Sequence, residues 1–225
     1  MMQQAISALV MHDIKNSLAL LEADLEQLNH RPDAPEEARK AYQRCIELKN
    51  RLISFLTLYK HEQGRLKPNL SEIELAEFLE DMIDGSQSVM MSDKHGHAIE
   101  VRVDEDRIKI APGVKHKGIA ELDEYLLDLA LESALNNAVR YAASCVDIWF
   151  EQDADRVTFF VQDDGPGLTT AENAEAKATS GKSASTGLGL SLCNAVTEAH
   201  GSGRVSLSNA PGGGALFTME FKLAG

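Results

Sequence analysis

The chain has 225 residues, of which 44% are hydrophobic and 25% charged, so it can bury a sizeable core and disorder is not expected. Its 35 acidic and 22 basic side chains give a formal net charge of −13, which argues against broad contact with nucleic acid or anionic lipid. No apolar run approaches the roughly 20 residues that span a bilayer, and no signal peptide is recognisable, so we expect a cytoplasmic protein without membrane insertion.

Residues 1 to 64 predict a helical hairpin. The first helix carries an apolar seam at steps of three and four, formed by Met11, Ile14, Leu18, Leu21, Leu25 and Leu28. After a turn near Pro32, Asp33 and Glu36 form an acidic capping box for a second helix that runs to about Tyr59. Its apolar face is wider than a two-helix contact covers, which predicts a homodimer in which two hairpins form a four-helix bundle.

Residues 65–225 predict a second domain of the α+β class. We expect helices over 123–142 and 187–199, and strands over 98–103, 146–150, 157–161, 204–208 and 216–223. Antiparallel strands with helices on one face make a two-layer α/β sandwich. The cysteines Cys45, Cys145 and Cys193 form no CxxC pair, which favours reduced thiols over a disulfide framework or a zinc site.

Two glycine motifs are the main candidates for ligand binding. The first, Asp163 to Gly167, places a carboxylate at the end of an apolar strand, followed by Gly165 and Gly167. An aspartate there can accept a hydrogen bond from an exocyclic amine, while the glycines permit close approach of a flat ring. An ordinary Asp-Gly turn is the simpler alternative.

The second motif offers backbone N–H groups and a positive helix terminus to a polyphosphate. It consists of consecutive residues immediately before or at the start of a helix, namely Thr186, Gly187, Leu188, Gly189 and Leu190. Lys182, in the segment between the two motifs, is a candidate for a cationic contact, although solvated lysines are commoner.

The long helix 123–142 carries a polar stripe, because Asn137 has Ser133 four residues before it, with Arg140 and Tyr141 three and four after it. Magnesium is held by few protein oxygens together with phosphates and water. We therefore expect Asn137, with Glu132 nearby, to position Mg²⁺ on a nucleotide, and Arg140 to meet phosphate. A solvated helix face is the alternative.

In this order, the motifs resemble the catalytic ATP-binding domain of sensor histidine kinases, within the GHKL ATPase superfamily. The N box matches at Asn137-Ala138, the G1 box at 163–167 and the G2 box at 186–190. The resemblance implies that Asp163 reads adenine, Asn137 binds Mg²⁺ and residues 168–186 form a lid. The chain departs from the family at Ser133, where a second asparagine is usual, and it lacks a phenylalanine box between the glycine motifs.

The segment from His12 to Leu18 resembles the H box of a dimerisation and phosphotransfer domain. Neutral imidazole is nucleophilic near its unperturbed pKa of about 6.5, and the carboxylate of Asp13 can orient or take its other proton. The resemblance implies that Asp13 assists autophosphorylation of His12 and that Asn16 orients water for dephosphorylating a partner. An ordinary surface histidine is the simpler alternative for His12 when it is considered alone.

These resemblances together imply a two-component histidine kinase that uses ATP and Mg²⁺ and transfers a phosphoryl group to an aspartate of a response regulator receiver domain. With only ten residues before Met11 and no transmembrane segment, we expect the stimulus to arrive through a sensory partner protein, unless the chain is part of a longer receptor. The alternative is a dimeric phosphotransfer adaptor that is phosphorylated by another kinase; Ser133 and the missing sensor favour it, whereas the intact Asp163 and glycine turns oppose it.

Overall fold

A computed structural model describes residues 2–29, 31, 35–87, 98–168 and 188–223. The chain divides into two compact units, Met1–Tyr59 and Lys60–Gly225. The helices are α1 (Met2–Asn29), α2 (Glu36–Glu62), α3 (Leu75–Gln87), α4 (Glu124–Tyr141) and α5 (Leu188–Ala199). The strands are β1 (Ser71–Glu74), β2 (Glu100–Val103), β3 (Lys109–Ile110), β4 (Ile119–Leu122), β5 (Cys145–Gln152), β6 (Arg156–Asp163), β7 (Gly203–Asn209) and β8 (Ala215–Lys222).

The first unit contains α1 and most of α2. Lys49 Nζ on α2 lies 2.5 Å from Glu22 Oε1 on α1, and Cys45 Sγ lies 3.9 Å from the carbonyl oxygen of Leu18. Leu18 and Cys45 are buried. Half of the remaining large apolar side chains described on these helices are exposed, namely Ile14, Leu20, Leu21, Leu28, Leu48, Phe55 and Tyr59. The proposed capping residue Asp33 lies outside the described residues.

The second unit is built on a mixed sheet. Among the described strands the order is β2-β5-β6-β8-β7, and β3 also pairs with β5. The pairs β5–β6, β6–β8 and β7–β8 are antiparallel, whereas β2 and β3 run parallel to β5. The α+β class is therefore confirmed, but the expectation of wholly antiparallel strands is wrong. Side-chain alternation reports which face a residue occupies and carries no information about strand direction.

Helices α4 and α5 supply the helical layer on this sheet. Asp123 caps α4 by accepting a hydrogen bond from the backbone N–H of Leu126 at 2.9 Å. Cys193 Sγ on α5 lies 3.5 Å from the carbonyl oxygen of Ala130 on α4, so the two helices pack side by side. Complete burial raises the pKa of the Cys193 thiol to about 12, which keeps it protonated and inert.

Helix α3 and the separate pair β1–β4 were not predicted from the sequence. Helix α3 buries its apolar residues at helical spacing, with Leu75 and Leu79 fully inside. Strands β1 and β4 pair antiparallel, with Ser71 opposite Leu122. No helix in the described parts of the chain is long and apolar enough to cross a bilayer.

Candidate functional site

Asp163 ends β6 and is only 5% exposed. Its Oδ1 accepts hydrogen bonds from the backbone N–H groups of Gly165 at 2.9 Å and Ala215 at 3.2 Å. Burial raises the pKa of this carboxyl, and the two backbone hydrogen bonds oppose that shift. The side chain is thus a fixed, desolvated acceptor at the end of an internal strand of the sheet.

The pKa of the neighbouring Asp164 is shifted in the opposite direction to that of Asp163. Its Oδ1 accepts from the consecutive N–H groups of Ala143, Ser144 and Cys145, at 2.8, 2.9 and 3.1 Å. Its Oδ2 accepts from the Ser144 hydroxyl at 2.5 Å. Desolvation alone would raise the pKa of Asp164, but these hydrogen bonds together hold that pKa well below its usual range. The hydrogen bonds of Asp164 therefore link the end of β6 to the segment that follows α4.

Gly165 and Gly167 are needed for close packing within the protein. A Cβ on Gly165 would lie 2.1 Å from the carbonyl oxygen of Tyr141, the last residue of α4. Gly167 has φ +73°, and a Cβ there would lie 2.7 Å from Asn209 Oδ1. The turn after Asp163 is thereby set between the end of α4 and the end of β7.

The second glycine motif packs against α4 about one helical turn before Tyr141. A Cβ on Gly189 would lie 3.0 Å from Ser133 Oγ and 3.2 Å from Asn137 Nδ2. The first turn of α5, with its N–H groups, is therefore adjacent to the polar stripe of α4. Leu188, Gly189 and Leu190 belong to that turn, whereas Lys182, Thr186, Gly187 and nearly all of segment 168–186 lie outside the described residues.

The remaining α4 candidates are Glu132, in the middle of the helix, and Arg140 and Tyr141 at its carboxyl end. Arg140 and Tyr141 are both exposed, and the guanidinium carbon of Arg140 lies 5.9 Å from the centroid of the Tyr141 ring. Glu132 is half-buried and precedes Asn137 by five residues, which is about 140° around an α-helix. Helix geometry therefore favours Asn137 over Glu132 as a residue facing Gly189.

A magnesium ion at this site would have few protein ligands. Within the described ranges, no group of three or more histidine, cysteine, aspartate or glutamate side chains is suited to hold a metal. A site of one amide oxygen completed by phosphate and water needs no such group, and the Asn137 side chain beside the first turn of α5 suits it. The donor set thus fits a nucleotide-bound ion better than a resident metal.

The histidine candidates belong to the first unit. His12 and Asp13 lie on α1, and Asn16 follows one turn later with an exposed side chain. All the other candidates that the structure describes lie in the second unit, where α4 contacts both glycine turns.

Sequence reasoning missed three residues that shape the Asp163 turn. Asn209 contacts the Gly167-Leu168 backbone, Ala215 donates to Asp163, and a Cβ on Gly214 would lie 1.8 Å from the Asp163 carbonyl oxygen. Gly214 has φ +79°, a conformation that side chains rarely adopt. A signal was present in the glycine run 212–214, which lies between the expected strands 204–208 and 216–223.

Comparison with known proteins agrees with this geometry. Residues 122–225 match the family described as histidine kinase-, DNA gyrase B- and HSP90-like ATPase. They include α4, both glycine turns and the closing β7–β8 pair. This part of the chain is therefore similar to the ATPase domains of that family.

Curated relatives extend the likeness to nearly the whole chain. The alginate biosynthesis sensor protein KinB of Pseudomonas aeruginosa is 24% identical over 220 residues, which cover 92% of this chain and 35% of KinB. The sensor histidine kinase YkoH of Bacillus subtilis is 25% identical over 227 residues, which cover 93% of this chain and 45% of YkoH. The chain thus spans less than half the length of these relatives.

A solved structure shows the same fold. The Acinetobacter baumannii histidine kinase AdeS superposes with a TM-score of 0.62 at 18% identity, covering 95% of this chain and 98% of AdeS. With the domain match and the relatives, this confirms that the chain resembles the catalytic core of a sensor histidine kinase.

Proposed function

We propose that the chain is an ATP-dependent protein histidine kinase that phosphorylates His12 and passes the phosphoryl group to an aspartate of a response regulator receiver domain. The observation that carries this proposal is that both glycine motifs pack against α4. The first lies against Tyr141 and the second against Asn137. That arrangement suits a ligand with a polar planar ring at one end and several phosphates at the other.

In this proposal, Asp163 accepts a hydrogen bond from the exocyclic amine of adenine. Asn137, Arg140 and the N–H groups at the start of α5 face the phosphates. Thr186 and Gly187 would add further contacts, as the family resemblance implies, and Lys182 would add a cationic one. Magnesium, when bound, neutralises charge on the phosphate oxygens, with Asn137 as its protein ligand.

The phosphoryl step needs a nucleophile and a proton acceptor. A ring nitrogen of His12 forms a bond to the γ-phosphorus while the bond from that phosphorus to the bridging β–γ oxygen breaks, which releases ADP. Asp13 takes or orients the proton on the other ring nitrogen. Asn16 orients water in the reverse task, dephosphorylation of the receiver aspartate. Positioning supplies most of the rate.

The proposal includes a cytoplasmic homodimer built through residues 1–64, with the ATP-binding domain in residues 65–225. The exposed apolar side chains of α1 and α2 support dimerisation, since burial against a second hairpin would remove them from water. A sensory partner protein would supply the stimulus.

Incubation with ATP labelled at the γ-phosphate tests the assignment of His12. We expect an acid-labile, base-stable phosphoprotein that His12→Gln abolishes. His116→Gln is the matched control, because His116 is exposed in the second unit and has no role in the proposal. Label that persists in His12→Gln would contradict the assignment.

An adaptor that receives its phosphoryl group from another kinase is the second candidate, and Ser133 in place of the usual asparagine favours it. Titration of the chain with Mg-ATP separates the two, because an adaptor has no need of nucleotide. Adjacent asparagines provide a matched pair: Asn137→Ala should weaken binding about tenfold or more, whereas the exposed Asn136→Ala should not. Absence of binding to the unaltered chain would favour the adaptor.

A further inference from the structure

Asn209, at the end of β7, makes two contacts with a single backbone residue. Its Oδ1 accepts a hydrogen bond from the N–H of Leu168 at 2.6 Å, and its Nδ2 donates to the carbonyl oxygen of Leu168 at 3.4 Å. A side-chain amide satisfies both groups only in this orientation, because a flipped amide would set oxygen against oxygen. Asn209 therefore fixes both the position and the orientation of the Leu168 peptide groups.

The contact continues into the preceding residue. The Gly167 backbone lies so close to Asn209 that a Cβ there would come within 2.7 Å of Oδ1 and within 3.1 Å of the Gly214 carbonyl oxygen. The β7–β8 turn is itself braced, since the N–H of Ala210 donates to the carbonyl oxygen of Gly214 at 3.0 Å. Asn209 thus projects from a braced turn onto the end of the Asp163 turn.

The Asp163 turn is consequently held from two sides. On the α4 side, Gly165 abuts the Tyr141 carbonyl oxygen and Asp164 accepts three backbone N–H groups. On the β7–β8 side, Ala215 binds Asp163 at one end of the turn and Asn209 binds Leu168 at the other. Loss of Asn209 would leave the far end without its polar anchor on that side.

We propose that Asn209 is a positioning residue for the nucleotide, which acts by fixing the Gly167-Leu168 end of the turn that carries Asp163. This inference rests on the proposed function, because it assigns Asn209 to the adenine end of the same site. Asn209 touches the Asp163 turn, and none of its hydrogen bonds reaches α4 or α5. Its contribution is therefore independent of the metal and phosphate contacts at Asn137.

Titration of ADP into the full chain, with Mg²⁺ and with EDTA, tests this role. Asn209→Ala removes both hydrogen bonds and should raise the Kd about three- to tenfold, by the same factor in both conditions. Asn137→Ala, in contrast, should lose affinity mainly when Mg²⁺ is present. Thermal unfolding without nucleotide is measured alongside, and a purely structural role would lower the midpoint and leave the Kd of the folded protein unchanged.

Two further variants keep the test decisive. Asn209→Asp keeps an acceptor for the Leu168 N–H but sets its second carboxylate oxygen against the Leu168 carbonyl oxygen, so its Kd should also rise above that of wild type. Ser208→Ala is the matched control, since Ser208 is exposed beside Asn209 on the same strand. Equal ADP affinity in wild type, Asn209→Asp and Asn209→Ala would overturn the inference alone. Wild-type protein that binds no nucleotide would overturn the proposed function and this inference with it.

Discussion

The helical hairpin and the sandwich bury their apolar residues to very different extents. Among the described residues, every one of the largest fully buried side chains lies in the sandwich, whereas Leu18, Cys45 and Thr57 are the buried residues of the hairpin. Two antiparallel helices share one seam, while a sheet covered by helices encloses a layer of side chains. The sandwich thus completes its core within one chain, and the contrast with the hairpin is the observation behind the proposed homodimer.

The largest expected effect concerns the sandwich core. Phe159 is fully buried and packs edge-on against Phe221, with ring centroids 6.1 Å apart. Phe159→Ala should lower the free energy of unfolding by about 3–5 kcal/mol, because it removes buried area and leaves a cavity. The single tryptophan, Trp149, lies in β5, so its fluorescence follows unfolding of the sandwich alone.

The control for this prediction is Tyr125→Ala, since Tyr125 is 58% exposed on the same unit. A loss below about 1 kcal/mol for Phe159→Ala would mean that the sandwich core is less self-sufficient than its burial indicates.

A smaller effect is expected in the hairpin. Phe55 is 46% exposed on α2, and Phe55→Ser should weaken the proposed dimer about tenfold, as measured by sedimentation over a range of concentrations. The Trp149 transition should stay unchanged, because the sandwich core does not include this residue. Arg51→Ser, at an exposed position on the same helix, should leave association intact. Wild-type protein that remains monomeric at all concentrations would contradict the comparison.

The smallest effect separates the two aspartates of the first glycine turn. The pKa of Asp164 is lowered in the folded state, so its charge stabilises the fold above its unfolded pKa of about 4, and this stability is lost as the pH falls through the folded pKa. Asp164→Asn should therefore be less stable than wild type at neutral pH, with a difference that shrinks below about pH 4. Solvent exposure keeps the effect modest.

Asp163→Asn should change the stability at neutral pH in the opposite direction. The pKa of Asp163 is raised in the folded state, so the stability linked to its protonation is present at low pH and lost as the pH rises through the folded pKa. The amide should therefore stabilise the fold at neutral pH, even as it weakens nucleotide binding. Urea unfolding at several pH values measures the stability of both variants relative to wild type. Stability differences that do not change with pH in either variant would contradict the pKa shifts described for the two aspartates.

Much of the sandwich could be predicted from the sequence because its signals are local. The capped helix α4, the hairpin β5–β6 and the pair β7–β8 each carry their own periodicity and turn residues. Helix α3 also carried a readable pattern, since Leu75, Phe78 and Leu79 recur at helical spacing, and it was overlooked. The pairing of β1 with β4 was not readable, because it joins segments about 48 residues apart that are only four residues long.

The residues of the candidate site also differ in whether a local sequence pattern predicts them. Asp163, Asn137 and Gly189 stand in recognisable local motifs, and the structure gives each of them contacts that account for its spacing. Asn209 and Ala215 act on the Asp163 turn from residues more than 40 positions away along the chain, through one amide and one backbone N–H. Such short polar contacts leave no periodic trace, so they become visible only when the strands are paired.

The position of β8 in the sheet also affects how the protein is made. This strand is the last of the described strands along the chain, yet it lies between β6 and β7 and supplies the Ala215 N–H that binds Asp163. During synthesis on the ribosome, β6 must therefore wait without its neighbour until residues 215–222 have emerged. A product terminated before residue 215 would lack this internal strand and the N–H group that Ala215 donates to Asp163.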